Sequence, residues 1–95
     1  MIDKKCIIRT YSAGVHYGTI KPRDGKEVLL KNAIRIWYWS GAASLSQMSV
    51  DGVNDPDKCK FSVPGAEILL TEAIEIIPCT EKAIKNIESV KPWKV

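Results

Sequence analysis

The chain reads as a mainly β, α+β domain. The expected form is a small, strongly bent antiparallel barrel with a helical insertion near 42–50 and a C-terminal helix near 81–89. Three observations predict it. The stretch Glu27-Val28-Leu29-Leu30-Lys31-Asn32-Ala33-Ile34-Arg35-Ile36-Trp37 returns as Glu67-Ile68-Leu69-Leu70-Thr71-Glu72-Ala73-Ile74-Glu75-Ile76-Ile77. In both copies a polar pair interrupts an apolar run, which resumes on a small Ala. A long strand with a bulge or sharp bend has this pattern, and a bulge lets a small sheet curl back on itself. The repeat is either a duplicated unit or two strands obeying one alternation; in both cases it speaks to architecture and names no chemistry. Next, Asp24-Gly25 separates two apolar stretches, and Gly accepts the positive φ of a tight hairpin turn. Last, 95 residues with 45% hydrophobic and 26% charged side chains make one domain over 1–95, with a modest core and too apolar for disorder.

The elements follow in order. Cys6–Thr10 is a first strand rich in β-branched residues, and Tyr11–Gly14 supplies small residues for a bend. Val15–Ile20 is a second strand whose internal Gly18 marks a bulge or a close backbone approach. Pro22–Lys26 forms the hairpin turn, and a long strand runs from Glu27 to about Trp39. Leu45 and Met48 at helical spacing predict a short helix over 42–50, with Ser40 or Gly41 as cap and Gly52 as stop. Val53–Pro64 is a polar loop in which Lys60–Val63 is extended. Glu67–Ile77 reads as a strand because Ala73–Ile77 alternates, against the competing helix that its Glu, Leu and Ala content allows. Pro78 closes it, Thr80 caps a helix to about Ser89, and Ala83, Ile84 and Ile87 face the sheet. Lys91–Val95 is a basic tail with one aromatic. This order resembles the SH3-like or Sm-like barrels in plan, an analogy that carries no function.

Known chemistries find little support. Cys6, Cys59 and Cys79 are widely spaced and form no C-x-x-C pair, and His16 completes no familiar zinc spacing. They read as buried thiols of a reducing compartment. Cys6 and His16 have nothing in sequence that brings them together as a nucleophile and base, and no G-x-S-x-G occurs. Asp51, Asp55 and Asp57 are turn formers, since Pro56 breaks any calcium-loop pattern. Phosphate-loop glycines are absent, and Glu72 and Glu75 sit at alternating, solvent-facing positions. The expectation is therefore no catalytic residue, no metal, no cofactor and no enzyme. A charge of +3 is too mild for a duplex-DNA binder yet suits a small anion held by a few Arg or Lys side chains. No apolar run approaches a membrane span and none follows the charges of Met1–Lys5, so a cytosolic location is expected.

Aromatic and polar clusters remain. Tyr11, His16 and Tyr17 surround the Gly14 bend, and Trp37-Tyr38-Trp39 ends the long strand, with Trp37 and Trp39 on one face and Tyr38 on the other. Such rings either fill a core or subunit interface or stack on a ligand, because aromatics dominate both settings. In the ligand case Arg9 or Arg35 pairs with phosphate, and the Gly41-Ala42-Ala43-Ser44 helix start offers backbone N–H groups to an anion. The candidate ligand-binding residues are thus Arg9, Tyr11, His16, Tyr17, Arg35, Trp37, Trp39 and Ser44.

The runs Arg9–Gly18, Ala33–Ser46 and Leu70–Pro78 resemble a family of small proteins encoded by tailed bacteriophages and prophages, to which no catalytic residues are assigned. The resemblance implies a phage setting and the host cytoplasm. By analogy of size and origin, it points to anti-defence sponges. These are non-enzymatic, homo-oligomeric proteins that sequester a nucleotide-derived immune signal such as a cyclic oligonucleotide or a cyclic ADP-ribose isomer. The alternative is a structural or protein-interaction module, either a virion accessory component or an inhibitor docking on a host protein. Single-stranded nucleic acid is a third partner class, marked by steep salt dependence.

Overall fold

Burial along the longest strand changes phase at one point, and that point sets the shape of the sheet. Val28 and Leu30 enter one core cluster, Ile34 and Ile36 enter another, and the switch falls at Lys31-Asn32. Leu30 and Ala33 share a face although three positions separate them, which alternation alone forbids. One extra residue has been inserted, and Asn32 takes it up with a φ of 51°. Opposite lies Gly18, where an added Cβ would stand 3.1 Å from the Lys31 carbonyl oxygen. The bulged backbone comes so close that a side chain there would have to push it aside by a few tenths of an ångström, the close approach that the glycine inside the second strand predicts.

The computed structural model describes residues 3–21, 25 and 27–95. Among these, six strands and two helices succeed one another as β1 (Lys5–Thr10), β2 (Val15–Lys21), β3 (Val28–Tyr38), α1 (Leu45–Asp51), β4 (Lys60–Phe61), β5 (Ala66–Leu70), β6 (Ala73–Pro78) and α2 (Glu81–Ser89). A single 3-10 turn at Pro56–Lys58 precedes β4. The Pro22–Lys26 turn lies outside the described residues apart from Gly25, which has a φ of 61°. The strands it joins pair antiparallel from Lys21–Leu29 to Val15–Ile36.

All six strands form one antiparallel sheet in the order β4-β3-β2-β1-β6, with β5 paired to β3 beside β4. Among the described residues no ladder joins β6 to β4 or β5, so the sheet is open. The second copy of the repeat is two strands with different partners. Val28–Ala33 receives β5, and Cys6–Thr10 receives β6. Only Thr71-Glu72 separates them. This corrects the expectation of one continuous bent strand, and it excludes the competing helix over 67–77. The repeat also has a structural counterpart: Val28, Leu30, Ala33 and Leu70 are buried in one cluster against which Ile68 and Ala73 pack.

The other cluster lies between the opposite face of the sheet and the helices, where Ile7, Tyr17, Ile34, Ile36 and Phe61 meet Met48, Ala83 and Ile87. α2 runs as expected from its Thr80 cap, whose hydroxyl accepts from Ala83 N. α1 starts later than expected. Ser44, not Ser40 or Gly41, is the cap, accepting from Gln47 N while Gln47 Oε1 reaches back to Ala43 N. This reciprocal pattern favours starting the helix at Leu45 rather than Ala42.

One side-chain amide joins the two helices through the residues after α1. Asn86 Oδ1 accepts from Val53 N at 2.8 Å and its Nδ2 donates to Val53 O at 2.9 Å. Val53 is buried, so no water replaces these bonds. Asn86→Ala should cost about 2 kcal/mol, since it strands a buried backbone donor and acceptor. A lowered urea midpoint at unchanged m-value checks it.

Candidate binding site

β3 outruns its neighbour. Its last pair with β2 is Ile36–Val15, and beyond that point only β4 accompanies it, through Tyr38–Lys60. Trp37 and Tyr38 therefore leave the sheet interior and are 57% and 54% exposed. The register shifts between Ile36 and Tyr38, which breaks strict alternation. Trp37 and Tyr38 both line one depression at this edge, while Trp37 and Trp39, expected on one face, line another together.

That depression, of about 450 Å³, is completed by Lys58, Lys60 and Trp93. Trp93 reaches it because its backbone N donates to Phe61 O at 2.8 Å, tying the tail to β4. A neighbouring depression of about 390 Å³ shares Trp37 as a wall and adds Arg35, Trp39 and the Ser12–Val15 bend. All three tryptophans of the chain thus lie on one surface. Trp39 is partly buried, and its indole donates to Ala42 O at 3.3 Å.

Cations sit over two of the rings. The Arg35 guanidinium carbon is 5.0 Å from the centre of Trp37, and Lys60 Nζ is 5.1 Å from that of Trp93. Both are within cation–π range. Arg35 is held from behind by His16, whose Nε2 accepts from Arg35 Nε at 3.1 Å. Among the described residues no carboxylate pairs with Arg35, Lys58 or Lys60. The surface therefore combines flat apolar rings with positive charge that has no internal counter-ion.

Other expected site residues lie elsewhere. Tyr17 is a core residue, not an exposed ring, because α2 covers it and its hydroxyl donates to Glu88 Oε2 at 2.7 Å. Burial, then the Glu88 carboxylate, pushes the Tyr17 phenol far above its usual range. Glu88 also receives Lys5 Nζ at 2.7 Å. Burial works to raise the Glu88 carboxyl, but the bonds from Lys5 and Tyr17 outweigh it and hold the group low. These residues line a separate depression of about 360 Å³ with Thr19 and Asn32. His16 is fully buried and meets the candidate surface only through Arg35. Arg9 pairs with Glu75 at 2.7 Å on the β1–β6 side, and Tyr11 is exposed but lines neither depression around Trp37. Ser44 is occupied as a helix cap.

Sequence reasoning offers Trp93 as contact surface only for the protein-interaction alternative, leaves it out of the ligand-binding residues, and misses Lys58 and Lys60. Their available signal was Lys60–Val63 reading as extended, which brings a basic segment alongside the end of β3. The three thiols are free, and burial raises Cys6 and Cys59 and pushes Cys79 up to about 12. Each stays protonated at neutral pH. Among the described residues no group of three His, Cys, Asp or Glu side chains is placed to hold a metal ion, and no helix is long and apolar enough to cross a membrane.

Fold and surface together define a small open-sheet domain with an aromatic, cationic face. Residues 3–87 match the model of the family described as Domain of unknown function (DUF6948), and the chain belongs to that family. No match to the chain was found among curated proteins, and none among solved structures.

Proposed function

We propose that this chain is a non-enzymatic binding protein for a nucleotide-type ligand, held on the surface around Trp37. The observation that carries the reading is the convergence of Trp37, Trp39 and Trp93 with Arg35, Lys58 and Lys60, three cations with no carboxylate partner among the described residues. Rings supply stacking for a base and the cations supply contacts for phosphate. In the tailed-phage setting that the sequence resemblance implies, the protein would act in the host cytoplasm as a sponge for a nucleotide-derived immune signal. Sequestration needs tighter capture than the host receptor achieves, and each tenfold gain requires about 1.4 kcal/mol. The SH3-like or Sm-like barrel plan belongs to the same reading, supported by the Ala66–Pro78 segment that passes from β3 to β1.

Isothermal titration with cyclic dinucleotides, cyclic trinucleotides and cyclic ADP-ribose isomers tests it. Saturable heat with one class is expected, weakened about 10- to 100-fold by Trp37→Ala, the worth of one stacked base. No heat and no melting shift across the panel overturns it.

A second reading, a homo-oligomer or protein-interaction module, is favoured by β6. Ile74 and Ile76 are exposed, and β6 pairs only with β1 among the described residues. Sedimentation across a hundredfold concentration range distinguishes a monomer from a self-associating chain.

A further inference from the structure

The two depressions beside Trp37 have a consequence for what the ligand must look like. Each is an open depression on the surface, about 450 and 390 Å³, that leaves one side of any occupant to solvent. They are not independent, because the Trp37 ring is a wall of both. On one side lie Tyr38, Trp93, Lys58 and Lys60, and on the other Trp39, Arg35 and the Ser12–Val15 bend. Each chamber therefore has an aromatic ring in addition to Trp37 and at least one cation.

We infer that the ligand carries two bases joined by a phosphodiester, one base in each chamber with Trp37 between them. The inference rests on the nucleotide-binding reading above and adds the number of bases. Inserting a side chain between neighbouring bases is a known way for proteins to grip nucleic acid, at the cost of unstacking them. The phosphate between the bases then falls near Trp37, where Arg35 is available. Arg35 spends its Nε on His16, and its two terminal amino groups have no hydrogen-bond partner among the described residues. The same guanidinium lies 5.0 Å over the centre of Trp37 and caps that face of the ring, so the base on the Arg35 side stacks on the guanidinium plane while its edge N–H groups are left for the phosphate. A single nucleotide fills one chamber and leaves the other wet. The same chemistry is offered by a cyclic dinucleotide and by a stretch of single-stranded nucleic acid.

The test uses quenching of tryptophan fluorescence, since all three reporters lie at the site. The probes are AMP, linear pApA, cyclic di-AMP and an eight-residue oligoadenylate. At least one two-base probe should bind about tenfold or more tighter than AMP, the minimum for a second stacked base. Cyclic di-AMP tightest marks a small-molecule ligand, whereas affinity that rises again for the oligoadenylate and falls steeply with salt marks a polymer. Trp93→Ala, at an exposed ring, should bring the two-base probe to within about threefold of AMP. AMP binding as tightly as every two-base probe overturns the two-base assignment and leaves the nucleotide-binding reading standing. No quenching by any probe overturns both.

Discussion

Replacing Gly41 by alanine should lower the unfolding free energy by about 4 kcal/mol, the sum of backbone strain and overpacking. Gly41 has a φ of 93°, and a Cβ there would lie 2.5 Å from the backbone nitrogens of both Asn54 and Asp55. Backbone atoms cannot rotate out of the way as a flexible side chain can. The two strands of chain are clasped at this point, with Asn54 N donating to Gly41 O at 3.1 Å and Ser40 Oγ to Asp55 Oδ2 at 3.0 Å. The clasp also places the Pro56–Lys58 turn, and so Lys58, beside Trp37. Gly41→Ala should therefore weaken ligand binding more than its distance from the rings implies. Gly65→Ala is the control. Gly65 has a φ of 110° but open space around it, so only the backbone strain of about 1–3 kcal/mol applies, without the overpacking. Chemical denaturation of the two variants should rank them in that order, and equal midpoints would refute the close-approach explanation.

Acid should destabilise the protein well above the range where carboxylates titrate. His16 is fully buried, and that burial, followed by repulsion from Arg35, drives its pKa from 6.5 down to about 4. In the folded state Nε2 accepts from Arg35, so the ring proton resides on Nδ1, a buried atom with no hydrogen-bond partner among the described residues. Above pH 6.5 both folded and unfolded chains hold a neutral imidazole and nothing is lost. As pH falls from 6.5 to about 4 the unfolded chain binds a proton that the folded one refuses. Stability then drops by about 1.4 kcal/mol per pH unit, about 3 kcal/mol in all. Glu88 acts in a lower window, because its folded pKa is depressed below 4.5 and its contribution is lost only as pH falls further. Unfolding curves between pH 8 and 4 should show the His16 slope in the wild type and lose it in His16→Gln. An identical slope in both would remove His16 as its cause.

How much of this was readable from residues alone depends on whether the cause is local. The phase slip at Lys31-Asn32, its echo at Thr71-Glu72, the Gly18 gap and the Thr80 cap are written in short stretches. Alternation, glycine and capping chemistry suffice to find them. The Ser44 cap is equally local in its Ser-x-x-Gln signature, although Ser40 and Gly41, a few residues earlier, offer competing caps. His16 reads as a strand residue satisfied by a neighbour, as found, but its full burial and that of Tyr17 come from partners far along the chain. α2 covers Tyr17, and the rank of strands encloses His16. The site was half readable for the same reason. Arg35 and Trp37 share β3 and Trp39 follows its last residue, so their proximity follows from spacing. Lys58, Lys60 and Trp93 join them through the Gly41–Asn54 clasp, β4 and the Trp93–Phe61 backbone bond, which no local pattern announces.

Three indole N–H signals make the surface directly observable by nuclear magnetic resonance. Adding the tightest nucleotide probe should move the indoles of Trp37, Trp39 and Trp93 together with the amides of Ser12–Val15 and Lys60. The amides of Lys5, Thr19, Asn32 and Glu88, around the other depression, should stay in place. Shifts confined to that second group, with all three indoles still, would show that the tryptophan face is not where ligand binds.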